Sequence, residues 1–507
     1  MQTAAQTVIL GSPAVLGAED GPFSLPLSDG TSVVCERVVR RVPGARLVCS
    51  GRWQGRAIYA KIFIGPRAER HAARDRRGVR WLQERGIDTP ALLYEAQLPD
   101  GAGWVLLFEA IEDSCNAEEY LASLAGDAQA RLRLMETLVR VVARHHQAGV
   151  RQTDLYLKNF LIQGERVYTL DGDGIRAGRG PLGPRRSLRN LALLLSKFDV
   201  EEDVHLPQLL QVYAEVRGWQ TDARMLRRLE EAVWRHRYQV AQEYAMRKVL
   251  RTCTDVRVEK RWDRFLAVAR AHDGPELRAL LDRPDDWLER PACRRLKTGN
   301  TCTIGVVTAG ARRIVIKRYN VKGFWHGLKI ALRRSRAVRS WCNAHLLRMY
   351  GIATARPLAV LERRFGPLRR QAYFFAEWVD GPAADELFAD ASVADEVRRE
   401  VAERLAKLLH KLYLLGIEHG DLKADNLKIV DRGAWLLDLD ALRQYRHARS
   451  GRYRRRHARD LRRFLQNWQD APPVRALLES ALRRVYGPDP VLRRAGLSII
   501  EEKVSTT

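Results

Sequence analysis

The sequence lacks any apolar run approaching the ~18–20 residues that a membrane-spanning helix needs. Segments such as Trp104–Phe108 and Leu191–Leu195 soon meet charged or polar residues, so no helical span is expected. The first thirty residues lack the basic start of a signal peptide, and Pro13 breaks the mildly apolar stretch Thr7–Leu16. That pattern reads as a disordered or strand-like extension of a cytoplasmic protein. Cysteine is sparse: Cys35, Cys49, Cys115, Cys253, Cys293, Cys302 and Cys342 are odd in number and scattered, without a C-x-x-C pair or a Cys/His cluster of zinc spacing. Reduced thiols follow, and a metal centre built from them is not expected. Acidic residues are also short, 61 against 87 Lys and Arg, which leaves a net charge of +26 over 507 residues. Such a surface attracts polyanions: nucleic acid, anionic lipid headgroups or a phosphorylated glycolipid. No zinc-finger pattern, RRM signature or interleaved aromatic and basic track is present, which argues against a dedicated nucleic-acid reader. Arginine runs such as Arg452–Arg463 are explained equally well as solvated helix faces.

What the sequence does have is an internal repeat. QAGVRQTDLYLKNFLI (Gln147–Ile162) precedes VYTLDGDGI (Val167–Ile175), and LLGIEHGDLKADNLKI (Leu414–Ile429) precedes AWLLDLDAL (Ala434–Leu442). One offset of 267 residues relates Asp154 to Asp421, Asn159 to Asn426 and Asp171 to Asp438. Upstream, AIYAKIF around Lys61 matches RIVIKRY around Lys317, and GIDTP at Gly86 matches GIATA at Gly351. Four landmarks in one order make a duplication the simplest account.

Each copy opens with short strand-like segments and continues with helical periodicity, as over Leu132–His146 and Val397–Leu415. This predicts an α+β protein of two tandem bilobal units, each with a small β-rich lobe and a helical lobe. The expected division is an extension over 1–30, a first domain over 31–250, a linker or start of the second unit over 251–288, and a second domain over 289–507. Pro275, Pro284 and Pro291 motivate that boundary.

The repeated residues suit phosphoryl transfer, which needs phosphate charge neutralised and an acceptor hydroxyl placed in line. A strand lysine contacts phosphates, as expected of Lys61 and Lys317. A loop aspartate orients the hydroxyl and accepts its proton, the expected role of Asp154 and Asp421. An asparagine five residues on and an aspartate after the next strand offer hard oxygens to Mg²⁺, as expected of Asn159 with Asp171 and of Asn426 with Asp438. Lys423 is placed to neutralise the moving phosphoryl group. Gly51 and Gly55 before Lys61, and Gly299 and Gly305 before Lys317, could let backbone amides approach phosphates, although ordinary hairpin glycines account for them equally. A lone strand lysine or a lone D-x-D is usually an edge residue or a turn; HGDLKADN followed at fixed distance by a strand and Asp is far more specific.

At HGDLKADN and its companions the sequence resembles the protein-kinase-like superfamily, in the branch of lipopolysaccharide core kinases (the Kdo/WaaP family). QAGVRQTDLYLKNFLI and ERHAARDRRGVRWLQERGIDTP carry the likeness in the first half, and KTGNTCTI, VIKRYN, RSWCNAHLLRMYGIAT and GIEHGDLKADNLKI in the second. The resemblance implies ATP and Mg²⁺, and a sugar hydroxyl acceptor, heptose or Kdo, on the lipopolysaccharide core or another anionic glycolipid. It also implies peripheral contact with the inner-membrane surface, for which Lys329–Arg339 and Arg452–Arg463 are candidate basic stretches. Two departures matter. Gln152-Thr153-Asp154 lacks the usual histidine, and neither Asp171 nor Asp438 is followed by Phe-Gly. Counting back from Gly86 and Gly351 puts the helix glutamate that anchors the strand lysine on Asp75 and Ser340. The first unit should then have the better lysine anchor and the second the better loop. Two active units, one active unit with a pseudokinase partner, a kinase with a protein or other acceptor, and a silent scaffold all remain open, as does oligomeric state.

Overall fold

The structure is a computed structural model that describes residues 6–7, 22–42, 44–99, 101, 103–299, 301–320, 334–366, 368–448 and 450–497. It divides into two compact units, Met1–His236 and Arg237–Thr507. The stretch 321–333 and most of the first 21 residues, on which parts of the expected extension and basic surface fall, lie outside the described residues.

The first unit opens with β1 (Gln6–Thr7), β2 (Phe23–Pro26), β3 (Ser32–Val42), β4 (Arg46–Trp53) and β5 (Arg56–Ile64), then helix α1 (Ala68–Glu84), then β6 (Leu92–Gln97) and β7 (Gly103–Glu109). Among the described residues these form a sheet in the order β1-β2-β3-β4-β5-β7-β6, antiparallel except for β1 beside β2. Its period-2 pattern buries Cys49, Ile58, Ala60, Ile62, Val105 and Leu107 on one face. Helix α1 turns Ala72, Asp75, Val79 and Leu82 inward at helical spacing, which carries one carboxylate into the core beside the strands.

The second lobe of that unit comprises β8 (Cys115–Asn116), α2 (Ala117–Ser123), α3 (Ala128–Gln147), β9 (Val150–Gln152), β10 (Phe160–Gln163), β11 (Arg166–Thr169), β12 (Ile175–Ala177), α4 (Pro184–Leu195) and α5 (Leu206–Arg217). Leu138, Val142, Phe160, Leu191, Leu209 and Tyr213 share its core. The division between units falls inside helix α6 (Ala223–Met246).

The 251–288 stretch, read from sequence as a linker or the start of the second unit, is folded into that unit. It holds β13 (Val256–Lys260), β14 (Arg264–Ala269), α7 (Pro275–Asp282) and α8 (Pro284–Glu289). Leu277, Leu280, Leu281 and Leu288 join one core with Leu266, Ile316 and Phe375. Two of the prolines that suggested a boundary, Pro275 and Pro284, sit at helix starts, where a missing N–H costs nothing, and Pro291 lies in the turn after α8.

Then come β15 (Arg294–Thr298), β16 (Cys302–Ala309), β17 (Arg312–Tyr319), α9 (Arg336–Met349), β18 (Pro357–Phe365) and β19 (Leu368–Glu377). The second sheet runs β13-β14-β18-β19-β17-β16-β15. Its last five strands repeat the order of β6, β7, β5, β4 and β3 in the first sheet. The remaining two strands extend opposite edges: β1–β2 lie beside β3, whereas β13–β14 lie beside β18. The helical lobe follows with α10 (Ala384–Ala389), α11 (Asp395–Leu414), β20 (Ile417–Glu418), β21 (Leu427–Val430), β22 (Gly433–Leu436), β23 (Arg443–Gln444), α12 (Gly451–Gln466), α13 (Pro472–Tyr486) and α14 (Pro490–Ala495). The protein is thus α+β with two tandem bilobal kinase-like units, and all seven cysteines are free.

Candidate active sites

In the first unit, strand alternation holds Lys61 opposite Val48 and Leu106, and its side chain runs toward α1. Lys61 Nζ lies 2.6 Å from Asp75 Oδ2, 3.7 Å from Asp171 Oδ1 and 5.0 Å from the Phe108 ring centre. Asp75 is fully buried; burial raises its pKa, and the facing Lys61 ammonium opposes that rise without cancelling it. Arg46, at the start of β4, brings its guanidinium to 3.8 Å from Asp171. Motif reading passed over Arg46, because only strand register shows that it shares Lys61's end of the sheet.

In the second unit the lysine is anchored differently. Lys317 Nζ is 2.5 Å from Asp438 Oδ1 and 3.5 Å from Asp440 Oδ2, and Arg336 Nη2 is 2.8 Å from the same Asp440 oxygen. Ser340, at the helix position that offers a carboxylate in α1, instead bonds Tyr319 Oη at 2.9 Å. The expected weakness of this anchor is therefore offset by Asp440, which sequence reading passed over as half of a D-x-D turn. Burial works against the Lys317 ammonium, but its surroundings hold its pKa above the ordinary lysine value. Tyr319 is itself pushed up by burial and stays neutral, so Asp438 and Asp440 supply that stabilisation. The Asp438 carboxyl is lowered; burial opposes this, and Lys317 outweighs it.

The two catalytic-type loops superpose in their hydrogen bonds. Asn159 Nδ2 donates to the Asp154 carbonyl at 2.8 Å, and Asn426 Nδ2 to the Asp421 carbonyl at 2.9 Å, which fixes each amide five residues beyond its aspartate. His419 Nε2 donates to the Leu437 carbonyl at 2.9 Å; Gln152 Nε2 makes the equivalent bond to Leu170 at 3.0 Å. Glutamine therefore fills the missing histidine's structural place. Burial lowers the His419 pKa and keeps the ring neutral.

Beneath the second loop, Asp460 on α12 accepts from the His419 amide at 2.7 Å and the Gly420 amide at 3.1 Å, and burial raises its pKa to about 7. The matching helix of the first unit carries Asn190, whose Nδ2 donates to the Gln152 carbonyl at 2.9 Å. Arg463 Nη2, one turn beyond Asp460, lies 2.5 Å from Asp421 Oδ1 as an ion contact. Lys423 is exposed two residues after Asp421. The same place in the first unit holds Tyr156, with Lys158 Nζ 5.5 Å and Lys197 Nζ 4.4 Å from its ring centre.

Asp171 and Asp438 both adopt left-handed backbone, with φ of 66° and 54°. Such a turn aims the carboxylate back at the lysine. In the first unit it is held by backbone contact, since a Cβ on Gly78 of α1 would lie 1.9 Å from the Gly172 carbonyl oxygen. In the second, Asn343 of α9 reaches the corresponding turn, and its Nδ2 donates to the Leu439 carbonyl at 2.8 Å and Leu442 at 3.1 Å.

The glycines separate. Gly299 lies just after β15, at the turn into β16, where Asn320 Nδ2 donates to its carbonyl at 3.1 Å. Gly305 lies within β16, and a Cβ there would meet Cys293 Sγ at 2.6 Å and a Leu288 methyl at 2.7 Å. A Cβ on Gly51 would collide with the Val34 carbonyl oxygen at 2.0 Å. Gly55 shapes the β4–β5 turn, six residues and so about 20 Å along β5 from Lys61. The structure does not bring Gly51, Gly55 or Gly305 to phosphate-binding turns; Gly44, with φ of 68° in the β3–β4 turn, occupies the place matching Gly299. A groove of about 960 Å³ runs past Arg52, Gly55, Asp88, Glu109, Glu112 and Arg166, and neither Lys61 nor Asp171 lines it.

Among the described residues no cluster of three or more His, Cys, Asp or Glu side chains has the arrangement of a metal centre. One asparagine and one aspartate per unit instead offer hard oxygens, with remaining ligands to come from a nucleotide's phosphates. Asp171 Oδ1 is buried without a hydrogen-bond partner, as a carboxylate kept for a cation would be. The donor set therefore fits Mg²⁺.

Strand lysine, loop aspartate, asparagine and left-handed aspartate on a bilobal frame define a protein-kinase-like phosphotransferase. The match to the lipopolysaccharide kinase (Kdo/WaaP) family extends over residues 57–205 and again over 279–483, once in each unit. The chain belongs to that family, and it is a kinase. No curated protein matches it. A solved structure described as WaaP in complex with acyl carrier protein is similar at 21% identity, covering 38% of this chain and 88% of that one, with a TM-score of 0.29.

Proposed function

We propose that the protein transfers the terminal phosphoryl group of ATP to a sugar hydroxyl, heptose or Kdo, of the lipopolysaccharide inner core. In this reading both units bind nucleotide and the second performs the transfer. Lys61 and Lys317 neutralise phosphate charge. Asn159 with Asp171, and Asn426 with Asp438, would hold Mg²⁺, which when bound neutralises further phosphate charge. Asp421 orients the acceptor hydroxyl and takes its proton, while exposed Lys423 offsets charge on the group in flight. The observation that carries the proposal is the buried Lys317 bridging Asp438 and Asp440 beneath a loop that places Asp421 and Asn426 together.

Among the described residues no helix is long and apolar enough to cross a membrane; in this reading the contact with a membrane-borne acceptor is peripheral. The deciding experiment measures phosphate transfer from ATP to purified core glycolipid by wild type, Asp421→Asn and Asp154→Asn. Loss of about a hundredfold or more is expected for Asp421→Asn and a smaller change for Asp154→Asn. The reverse order would move transfer to the first unit, and full activity in both variants would sink the assigned chemistry.

A further inference from the structure

The strands that distinguish the second sheet carry an exposed aromatic tip. The β13–β14 turn presents Trp262, 68% exposed, and the adjoining β18–β19 turn presents Phe365 at 58% and Leu368 at 37%. Trp262 and Phe365 are the two most exposed aromatic side chains among the described residues. They meet edge to face, with centroids 5.4 Å apart and planes at 73°. The two turns are tied by backbone: Arg364 N donates to the Asp263 carbonyl at 2.7 Å, and Gly366 N to the Trp262 carbonyl at 2.9 Å. The ladder thus runs to the end of both hairpins, and the aromatic pair stands on a firm base.

Exposed Lys260, Arg261, Arg363 and Arg370 surround the tip. The acids nearby are paired: Glu362 with Arg364 and Arg369, Glu259 with Arg264 and Arg278 of α7, and exposed Asp282 of α7 lies 3.8 Å from Arg264. Asp263 is exposed and lies 3.9 Å from Arg261. The outward charge at the tip is therefore mainly positive. The matching β6–β7 turn of the first unit has Pro99 and Gly101 and, among the described residues, no neighbouring hairpin, since its two extra strands lie at the other edge.

An amphipathic indole beside an apolar phenyl ring, ringed by cations, matches the chemistry of an anionic bilayer surface, where indole rings settle at headgroup level and arginines pair with phosphates. We propose that the Trp262–Phe365–Leu368 tip is the surface by which the protein docks on an anionic phospholipid membrane. The proposal rests on the reading that the acceptor is a membrane-borne glycolipid, and it gives that reading a contact face. None of its residues belongs to the basic stretches singled out in the sequence.

The experiment is co-sedimentation of the full chain with phosphatidylethanolamine–phosphatidylglycerol vesicles and with phosphatidylcholine vesicles. Wild type is expected to bind the anionic vesicles more tightly, in a salt-sensitive way. Trp262→Ser with Phe365→Ser should weaken that binding about tenfold or more. Arg261→Gln with Arg363→Gln and Arg370→Gln should remove most of the salt sensitivity. Thermal midpoints, and transfer to a soluble delipidated core acceptor, should stay at the wild-type level in both variants. Wild-type binding by the serine variant, or failure of wild type to prefer anionic vesicles, would overturn the proposal. A concentration-dependent dimer lost in the serine variant, with vesicle binding unchanged, would also overturn it and assign the face to a second copy. Absence of phosphate transfer to the core acceptor by wild type would sink the glycolipid-acceptor reading and leave the vesicle result standing.

Discussion

The two units solve one electrostatic problem with carboxylates drawn from different places. Each must balance the charge of a strand lysine that is largely removed from water. In the first, Asp75 on α1 meets Lys61, so the anchor belongs to the helix. In the second, Asp440 meets Lys317 from the turn that also carries Asp438, and the helix contributes Arg336 as a second cation on that carboxylate. The coupling of helix to turn differs in the same manner, by backbone contact at Gly78 and Gly172 and by the Asn343 amide at Leu439. The lesson is that the lysine's charge balance is what the fold must preserve, and the residue that supplies it can move.

The largest effect should come from breaking the relocated anchor. Asp440→Asn leaves Lys317 and Arg336 short of a shared carboxylate, at an expected cost of about 2–4 kcal/mol. Transfer should fall about a hundredfold with a raised KM for ATP, read by steady-state kinetics. Adding Ser340→Asp, which returns a carboxylate to the helix, should restore part of the ATP affinity; no restoration would break the equivalence of the two anchors.

Next is the pH response of the catalytic loop. The folded-state pKa of Asp460, about 7, lies above that of an unfolded aspartate, so the folded protein holds an extra proton between roughly pH 4 and 7. Stability contributed by the second unit therefore declines as pH rises through that window, by up to about 4 kcal/mol. Asp460→Asn, which copies Asn190, should flatten the decline in urea unfolding compared at pH 5 and pH 8. An unchanged slope would show that another group titrates.

A smaller effect is expected at the helix–turn contacts. Gly78→Ala must push the Gly172 carbonyl aside and should cost about 1–3 kcal/mol, with loss of ATP-dependent thermal stabilisation of the first unit. Asn343→Ala should cost a similar amount in the second unit by removing the donor to the Leu442 carbonyl and leaving Leu439 with the Leu442 amide alone. The smallest change in stability belongs to Arg463→Leu, which copies Leu193. Its partly exposed pair with Asp421 is worth under about 1 kcal/mol, so melting should barely move while KM for an anionic acceptor rises.

Much of each site was legible because its parts lie at fixed short spacings. Asp154 with Asn159 and Asp421 with Asn426 follow from their repeated five-residue spacing, and Asp75 from counting back from Gly86. Asp440 was not legible as an anchor, since Lys317 precedes it by more than a hundred residues and only packing of the lobes brings them together. Strand register defeated the reading of Gly51, Gly55 and Gly305, because the phosphate-side turn is the one at the lysine's end of the hairpin. The β13–β14 hairpin was obscured by its charge: Arg257, Glu259 and Lys260 look like linker residues until their alternation with Val256 and Val258 is set against the neighbouring strand.

The left-handed backbone of Asp171 and Asp438 has a consequence for the history of the duplication. A non-glycine residue in that region carries a steric penalty of about 1–2 kcal/mol, which glycine would relieve. Divergence tends to erase such penalties, and it has changed other positions around them, from the histidine to the helix carboxylate. Both copies nonetheless carry the strained aspartate, so this turn persisted while parts of its surroundings changed. Ancestral reconstruction of a single unit should therefore start from this turn.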